Sequence, residues 1–522
     1  MPLRLSSDAA AALFDFILTS FRTFPMSQSL DRTAVAGDLS TKAAALALLK
    51  RIHFYIGLFV GPFIFIAALT GVLYVATPQI ENKLYANQLF TSSTGTVQPL
   101  SRQVESARAV VGEQAEIYAV RPAPSSGETT RVQFSEPGLG ASKSRAIFID
   151  PVTLDVKGSL VVYGTSGVLP FRTWLDDLHR GLLLGDIGRN YSELAASWLW
   201  VAALGGLLLW AFTRGGQKSV RKMTRQGARQ RRSRLWHTTL GIVLLGGLLF
   251  FSATGLTWSQ WAGNNIGILR ADMGWLTPSV STQLSAEAPH EVADEHAEHH
   301  AASMSGMKMA DMPDMDMSAM QPAPAQALQI KDASFDSVVA AARASGIDAA
   351  KIEIRPAYKA SKAWTVSEID RSWPTRVDAV SVDPASLRIV DHVYFAKFPL
   401  LAKLTRWGVD AHMGVLFGVW NQVVLILFGL GTCALIGWGY VLWWQRRPKM
   451  AGQRSPTATL IQTWRAVPVL PRWVLLALAI ALAFSLPVMG VSLLVFLIVD
   501  LLRWLRQARE SHSKPMTSAR QP

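Results

Sequence analysis

Four histidines recur as two matched pairs, and imidazoles repeated at fixed spacing are the side chains here best suited to chemistry. Trp174, Asp177, His179, Gly181 and Gly185 form a W-x2-D-x-H-x-G-x3-G run, which Trp407, Asp410, His412, Gly414 and Gly418 repeat. His53-x3-Gly57 stands 17 residues ahead of Thr70-Gly71, and His237-x3-Gly241 stands 17 ahead of Thr254-Gly255. Each histidine reads as opening a long apolar helix. An ionisable group at the edge of an apolar span is costly, so a function is the default reading. Neutral imidazole is a common metal ligand. Four imidazoles on four helices, paired by an internal repeat, point to axial ligation of two b-type haems.

Small and charged neighbours fit that picture, though each has a plainer explanation. Gly57 and Gly241 follow their histidines by four residues on one helix face, and Gly181 and Gly414 follow theirs by two. Small residues there would let a flat macrocycle approach the backbone; close helix packing explains them too. Arg51 and Arg234 could neutralise haem carboxylates, or simply mark cytoplasmic helix ends. Asp177 and Asp410 could orient the ligands or cap helices.

The elements that must carry these residues are legible from hydropathy. Half the chain is hydrophobic and 17% is charged. Apolar runs of spanning length fall at 54–77, 192–213, 238–258 and 417–444. A further run, 473–499, is broken by Pro487 and Gly490 and reads as a kinked span or a hairpin. The net charge of +14 is concentrated between spans: residues 214–235 hold nine Lys or Arg and no acid, and Arg446, Arg447 and Lys449 follow the fourth run. That is the pattern of short cytoplasmic loops in a membrane protein, not of a nucleic-acid surface. It places the N-terminus inside, 78–190 and 259–410 outside, and the histidines in two layers. His53 and His237 lie at the inner face, His179 and His412 at the outer. Membrane lipid is the expected surrounding. Cys433 is the single cysteine, so neither disulfides nor a covalent haem motif is available. The first 47 residues lack a cleavable signal pattern, and Met26 is a candidate start.

The repeat continues outside the membrane. Helical patterns at Leu100–Gln114 and Ser334–Ser345 are followed by strand-like Ile117–Pro122 and Ile352–Pro356, then Thr130–Phe134 and Ala363–Ser367. Each half then has a strand ending in Asp-Pro, Ala146–Pro151 and Ala379–Pro384, and one further strand. Asp150 and Asp383 each precede their histidine by 29 residues. The expected organisation is an N-terminal cytoplasmic segment (1–47), a first span (48–77), a small α+β domain (78–170), and a histidine-bearing helix with its span (171–213). A basic loop (214–235), a third span (236–258), a linker (259–327), a second α+β domain (328–400) and a second histidine-bearing helix with its span (401–444) follow. A cytoplasmic loop (445–472), a hydrophobic segment (473–503) and a polar tail (504–522) close the chain. The fold class is a mainly α-helical polytopic membrane protein: a four-span bundle, a C-terminal hydrophobic segment and two small extracytoplasmic α+β domains.

This organisation resembles the PepSY-associated transmembrane helix family over roughly residues 48–447. The resemblance rests on Arg51-x-His53-x3-Gly57, the duplicated Asp-Pro strands and the two W-x2-D-x-H-x-G-x3-G runs. It implies PepSY-like outer domains and a relation to haem-containing reductases that release iron from ferric siderophores. Some members carry a fused flavin reductase; the short cytoplasmic loops here cannot, so quinol or a separate cytoplasmic flavoprotein is the expected donor.

A second candidate site departs from that resemblance. The linker holds His290, His296, His299 and His300, then Met304, Met307, Met309, Met312, Met315, Met317 and Met320 among Asp, Ser, Gly, Pro and Lys. Thioethers suit Cu(I) and imidazoles Cu(II), which tilts the substrate towards copper while the resemblance pulls towards iron. Its low complexity also fits an inert linker. The functional expectation is a two-haem electron-transfer protein reducing a periplasmic ferric siderophore or Cu(II). The alternative is a non-redox PepSY protein, either a copper-binding permease partner or a protease regulator. His392 and His512 read as incidental. Tyr358, Trp364 and Trp373 are either chelate contacts or ordinary sheet aromatics.

Overall fold

The structure, a computed structural model, describes residues 41–140, 142–164, 166–213, 225–284, 292–293, 334–446, 460–465 and 467–512. The helices are α1 (Thr41–Tyr55), α2 (Gly61–Val75), α3 (Thr77–Leu84), α4 (Ala86–Leu89), α5 (Leu100–Val111), α6 (Pro170–Gly181), α7 (Gly185–Thr213) and α8 (Arg225–Val243). They continue as α9 (Leu245–Thr257), α10 (Trp261–Asp272), α11 (Ser334–Ala344), α12 (Leu400–His412), α13 (Gly418–Gln445), α14 (Leu460–Arg465), α15 (Val469–Ser485) and α16 (Pro487–His512). The strands are β1 (Ile117–Arg121), β2 (Thr130–Phe134), β3 (Lys143–Ile149), β4 (Val156–Tyr163), β5 (Thr277–Pro278), β6 (Val292–Ala293), β7 (Ile352–Arg355), β8 (Trp364–Glu368), β9 (Ala379–Val382) and β10 (Ile389–Val393).

Among the described residues four helical stretches are long and apolar enough to cross a membrane: Lys42–Val75, Gly185–Thr213, Gly418–Gln445 and Pro487–Arg506. The third span expected from hydropathy is a broken one, α8 and α9 meeting at 58°. The first is interrupted too. Ile56–Val60 forms a π-helical turn just after His53, and the Tyr440 hydroxyl donates to the Leu58 carbonyl at 2.8 Å. Such turns interrupt the regular ladder and recur at functional sites.

Two expectations about the histidines need correction. His179 and His412 do not open spans. Each sits in the last turn of a short helix, α6 or α12, and a tight turn separates it from the span. Gly185 (φ +61°) and Gly418 (φ +57°) are left-handed residues of those turns, a conformation glycine takes without steric cost; Leu182 (φ +52°), Leu183 (φ +59°) and Gly414 (φ +75°) are left-handed there too. His53 and His237 stand within α1 and α8, not at their starts.

The C-terminal run is a hairpin. α15 and α16 pack on each other across the break at Leu486, and Asn265 of α10 donates to the Ser485 carbonyl at that turn at 3.1 Å. At the far end Asp500 accepts Tyr55 Oη at 2.5 Å and Ile461 N–H at 3.1 Å, with Arg503 donating to Tyr55 Oη at 2.6 Å. Seventeen residues of α15 rise about 25 Å, so the hairpin runs the length of the bundle and returns.

The two α+β units are not separate bodies. Their strands form one eight-stranded sheet in the order β10-β9-β8-β7-β1-β2-β3-β4. The halves join where β1 and β7 pair antiparallel, Val120 opposite Ile354. Strand alternation then sorts the residues. Val120, Val132, Ile147, Ile352, Ile354, Val366 and Val380 are buried in a single core with Val104 of α5 and Phe335 and Val338 of α11. Asp336 of α11 accepts the Leu100 and Ser101 amides at 2.7 and 3.0 Å, capping the other half's helix, whose first amides lack intrahelical partners. Residues between the core positions, including Arg121, Glu353, Arg355, Thr365 and Ser367, face the bundle instead.

Candidate functional site

The bundle brings His53 and His237 together, their ring centres 6.3 Å apart and nearly perpendicular. His179 and His412 meet at the sheet end, where both line one cavity of about 920 Å³. Phe251 and Trp258 pack against His412, with ring centres at 4.9 and 5.2 Å.

What holds the four rings is the more informative observation. His179 Nδ1 lies 2.9 Å from Thr70 Oγ1, and His412 Nδ1 lies 2.7 Å from Thr254 Oγ1. Each threonine already donates its proton to a helix carbonyl: Thr70 to Ile66 at 2.8 Å, Thr254 to Phe250 at 2.9 Å. A hydroxyl has one proton, so towards the histidine it accepts. That puts the imidazole proton on Nδ1 and leaves the Nε2 lone pair free. His237 reaches the same state through the Leu435 carbonyl, 3.0 Å from its Nδ1. His53 Nδ1 is buried and has no hydrogen-bond partner among the described residues. No hydrogen bond reaches any of the four Nε2 atoms among the described residues.

Glycines on neighbouring helices receive the rings. A Cβ on Gly206 would stand 3.2 Å from His53 Cε1, on Gly439 3.4 Å from His237 Cε1, and on Gly71 3.4 Å from His179 Cε1. Gly206 and Gly439 each follow a repeat histidine, His179 or His412, by 27 residues. Both that match and the Thr-Gly spacing are present in the sequence, but local pattern assigns neither a role, because the partner helix is invisible to it.

The glycines and charged residues singled out from sequence stand in varied surroundings. Gly241 meets Leu435, Gly57 borders open space, Gly181 packs on the Arg189 backbone, and Gly414 (φ +75°) makes the turn beside Gln422. Arg51 is buried over Tyr55, its guanidinium carbon 5.5 Å from the ring centre. Arg234 is exposed. Asp177 pairs with Arg180 at 3.1 Å and Asp410 with Arg371 at 2.6 Å, so neither orients a histidine and neither caps a helix start. Trp364 is core, Tyr358 Oη donates to the Ile117 carbonyl at 3.2 Å, and Trp373 packs at a tilt against Trp407. His392 stacks on Tyr394 at the sheet edge. The candidate metal residues His290, His296, His299, His300, Met304, Met307, Met309, Met312, Met315, Met317 and Met320 lie outside the described residues, as does His512's side chain.

Above the outer pair, the bundle-facing side of the sheet forms the cavity's ceiling. Glu353 of β7 is shared by two guanidiniums across the seam between halves: Arg121 Nε at 2.7 Å and Arg355 Nε at 2.6 Å. Burial opposes its charge, yet Arg121 and Arg355 together hold its carboxyl below the usual range. Arg371 adds a third guanidinium to the same ceiling.

The duplicated Asp-Pro aspartates do turn chemistry. Asp150 accepts the Val152 amide at 2.9 Å and Asp383 the Ala385 amide at 3.0 Å, closing the loops between paired strands.

With this geometry in hand, comparison with known families is direct. The model of the PepSY-associated TM region matches residues 50–446, and the chain belongs to that family. No curated protein matches it significantly.

Proposed function

We propose that this PepSY-associated protein transfers electrons across the membrane through two haems, one between His53 and His237 and one between His179 and His412, to a metal complex at the sheet side. The carrying observation is the uniform presentation of the imidazoles. Three have Nδ1 engaged by an acceptor, all four lean on a neighbouring helix, and all four leave Nε2 unbonded. The residues fit the group. Among the described residues no three His, Cys, Asp or Glu side chains gather to hold a bare metal ion. Two imidazoles suffice where a macrocycle brings the other donors. The 6.3 Å between the ring centres of His53 and His237 would let both imidazoles reach one metal centre.

A haem with both axial positions filled supplies one-electron transfer and leaves no open position on iron. The protein's own part is to hold the ligand tautomer, keep the rings apart at a set distance and shape the docking surface. On the positive-inside pattern the sheet faces the periplasm of a bacterial inner membrane. Electrons then enter at His53 and His237 from quinol or a separate flavoprotein. The acceptor is a ferric siderophore or Cu(II), with the Met/His tract favouring copper.

The test is an absorption spectrum of detergent-purified full-length protein, oxidised and dithionite-reduced, with haem quantified per chain. About two haems with sharp reduced bands, as six-coordinate bis-imidazole iron requires, supports the reading. Reoxidation by ferric siderophore against Cu(II) then separates the two metals. Protein made with haem supplied yet carrying none sinks it and favours a non-redox copper-binding or regulatory protein.

A further inference from the structure

The cavity over the outer histidines is apolar at its floor and cationic towards its ceiling. Ala67, Val72, Leu199 and Phe251 line the part between the helices, whereas six arginines but only three carboxylates border the cavity among the described residues. Three of those arginines, Arg121, Arg355 and Arg371, come from the sheet and its loop between β8 and β9. Each carboxylate is already engaged. Glu353 is shared by Arg121 and Arg355, Asp176 pairs with Arg180 at 2.8 Å, and Glu368 accepts the Asp348 and Ala349 amides at 2.8 and 2.7 Å. Glu353 is one carboxylate against two guanidiniums, and Arg371 beside them pairs with Asp410 at 2.6 Å, so these three arginines meet two carboxylates in a partly enclosed space where fields are weakly screened.

We propose that this ceiling is an anion site, built by Arg121, Arg355 and Arg371, that selects negatively charged, carboxylate-rich metal chelates. It rests on the electron-transfer reading only for naming the anion as a metal chelate. Guanidinium is the side chain best matched to carboxylate, offering paired donors in a planar fork. The site is composite. Arg121 belongs to the first half of the chain and Arg355 and Arg371 to the second, so it exists only because β1 pairs with β7. Arg371 also holds Asp410, two residues from His412, which puts the anion site and an outer histidine on one connected set of side chains.

Carboxylates could come from a chelate or from the haem itself, and the experiment separates them. Gallium(III) citrate, which cannot be reduced, is titrated calorimetrically into detergent-solubilised full-length protein, with and without haem. The expected result is saturable binding in both preparations, weakened about tenfold by Arg355→Gln or Arg371→Gln, the scale of one charge-assisted hydrogen bond. Arg102→Gln, on the exposed surface of α5, leaves it unchanged. Wild-type binding also weakens as salt rises, a readout independent of any variant's folding. A cationic gallium trihydroxamate does not compete. Equal binding of both complexes, or no binding of citrate complex, overturns the proposal. Loss of binding on haem loading does so too, because the arginines then serve the haem carboxylates. Citrate binding in protein made with haem supplied yet carrying none supports the anion site while sinking electron transfer.

Discussion

The two copies of W-x2-D-x-H-x-G-x3-G share their letters but not their surroundings. In both, the histidine closes a short helix, its Nδ1 rests on a threonine of another helix, and the last glycine makes a left-handed turn into the span. The tryptophan and aspartate differ. In the first copy Trp174 is 50% exposed and the Asp177 carboxylate 47% exposed, paired only with Arg180 one turn on. In the second, Asp410 is fully buried against Arg371, and Trp407 packs at a tilt against Trp373 and edge-on against Phe395. What is equal in the two copies is the presentation of an imidazole; what differs is how the sheet is fastened. The first copy reaches it through Arg180, whose guanidinium carbon lies 5.8 Å from the Tyr163 ring centre at the end of β4, the second through Arg371 of the loop between β8 and β9.

Removing the shared part should have the largest effect and the same effect in both copies. On the proposed two-haem reading, His179→Ala and His412→Ala are each expected to lower haem from about two per chain to about one, since a bis-imidazole iron that loses a ligand is weakly held. Loss in only one copy would break the equivalence.

The aspartates should separate the copies instead. Asp410→Ala leaves Arg371 without its carboxylate and is expected to cost about 3–5 kcal/mol, as for a broken buried pair. Asp177→Ala removes a half-exposed pair worth about 1 kcal/mol or less. Thermal unfolding in detergent measures both, and equal shifts would contradict that difference.

Thr70→Val and Thr254→Val keep shape but remove the acceptor at Nδ1. Each is expected to loosen haem retention by about ten- to a hundredfold, read by haem transfer to an apo-acceptor, with Thr→Ser restoring it. No change in either would mean that the hydroxyl does not set the tautomer.

The smallest effect concerns the seam between the halves. Glu353 has its pKa depressed in the folded chain, so its stabilising contribution is complete above the ordinary glutamate range. It is lost as pH falls through the lower folded value. Acid titration of sheet circular dichroism should show that loss, and Glu353→Gln should abolish this component of the pH dependence.

Much of the fold and half of the site are legible in the sequence. Strand starts at Ile117, Thr130, Ile352 and Ala379 coincide with the expectation, because period-two alternation is a local signal. The four histidines stand out because a repeat at constant spacing is also local. The break in the first span does not, since a π-turn changes hydrogen bonding without changing hydropathy.

By itself the sequence determined the spans, the repeat, the ligand-type residues and the charge asymmetry, all consequences of nearest-neighbour periodicity and composition. Only the tertiary structure decided that two α+β units become one sheet, because edge pairing joins residues more than two hundred positions apart, as in Val120 with Ile354. It alone decided that Thr70, Thr254, Gly206 and Gly439 receive the histidines, and that one aspartate of a matched pair is buried while the other meets solvent. Those outcomes depend on which helix lies opposite, a relation that packing creates and that no spacing along a single chain encodes.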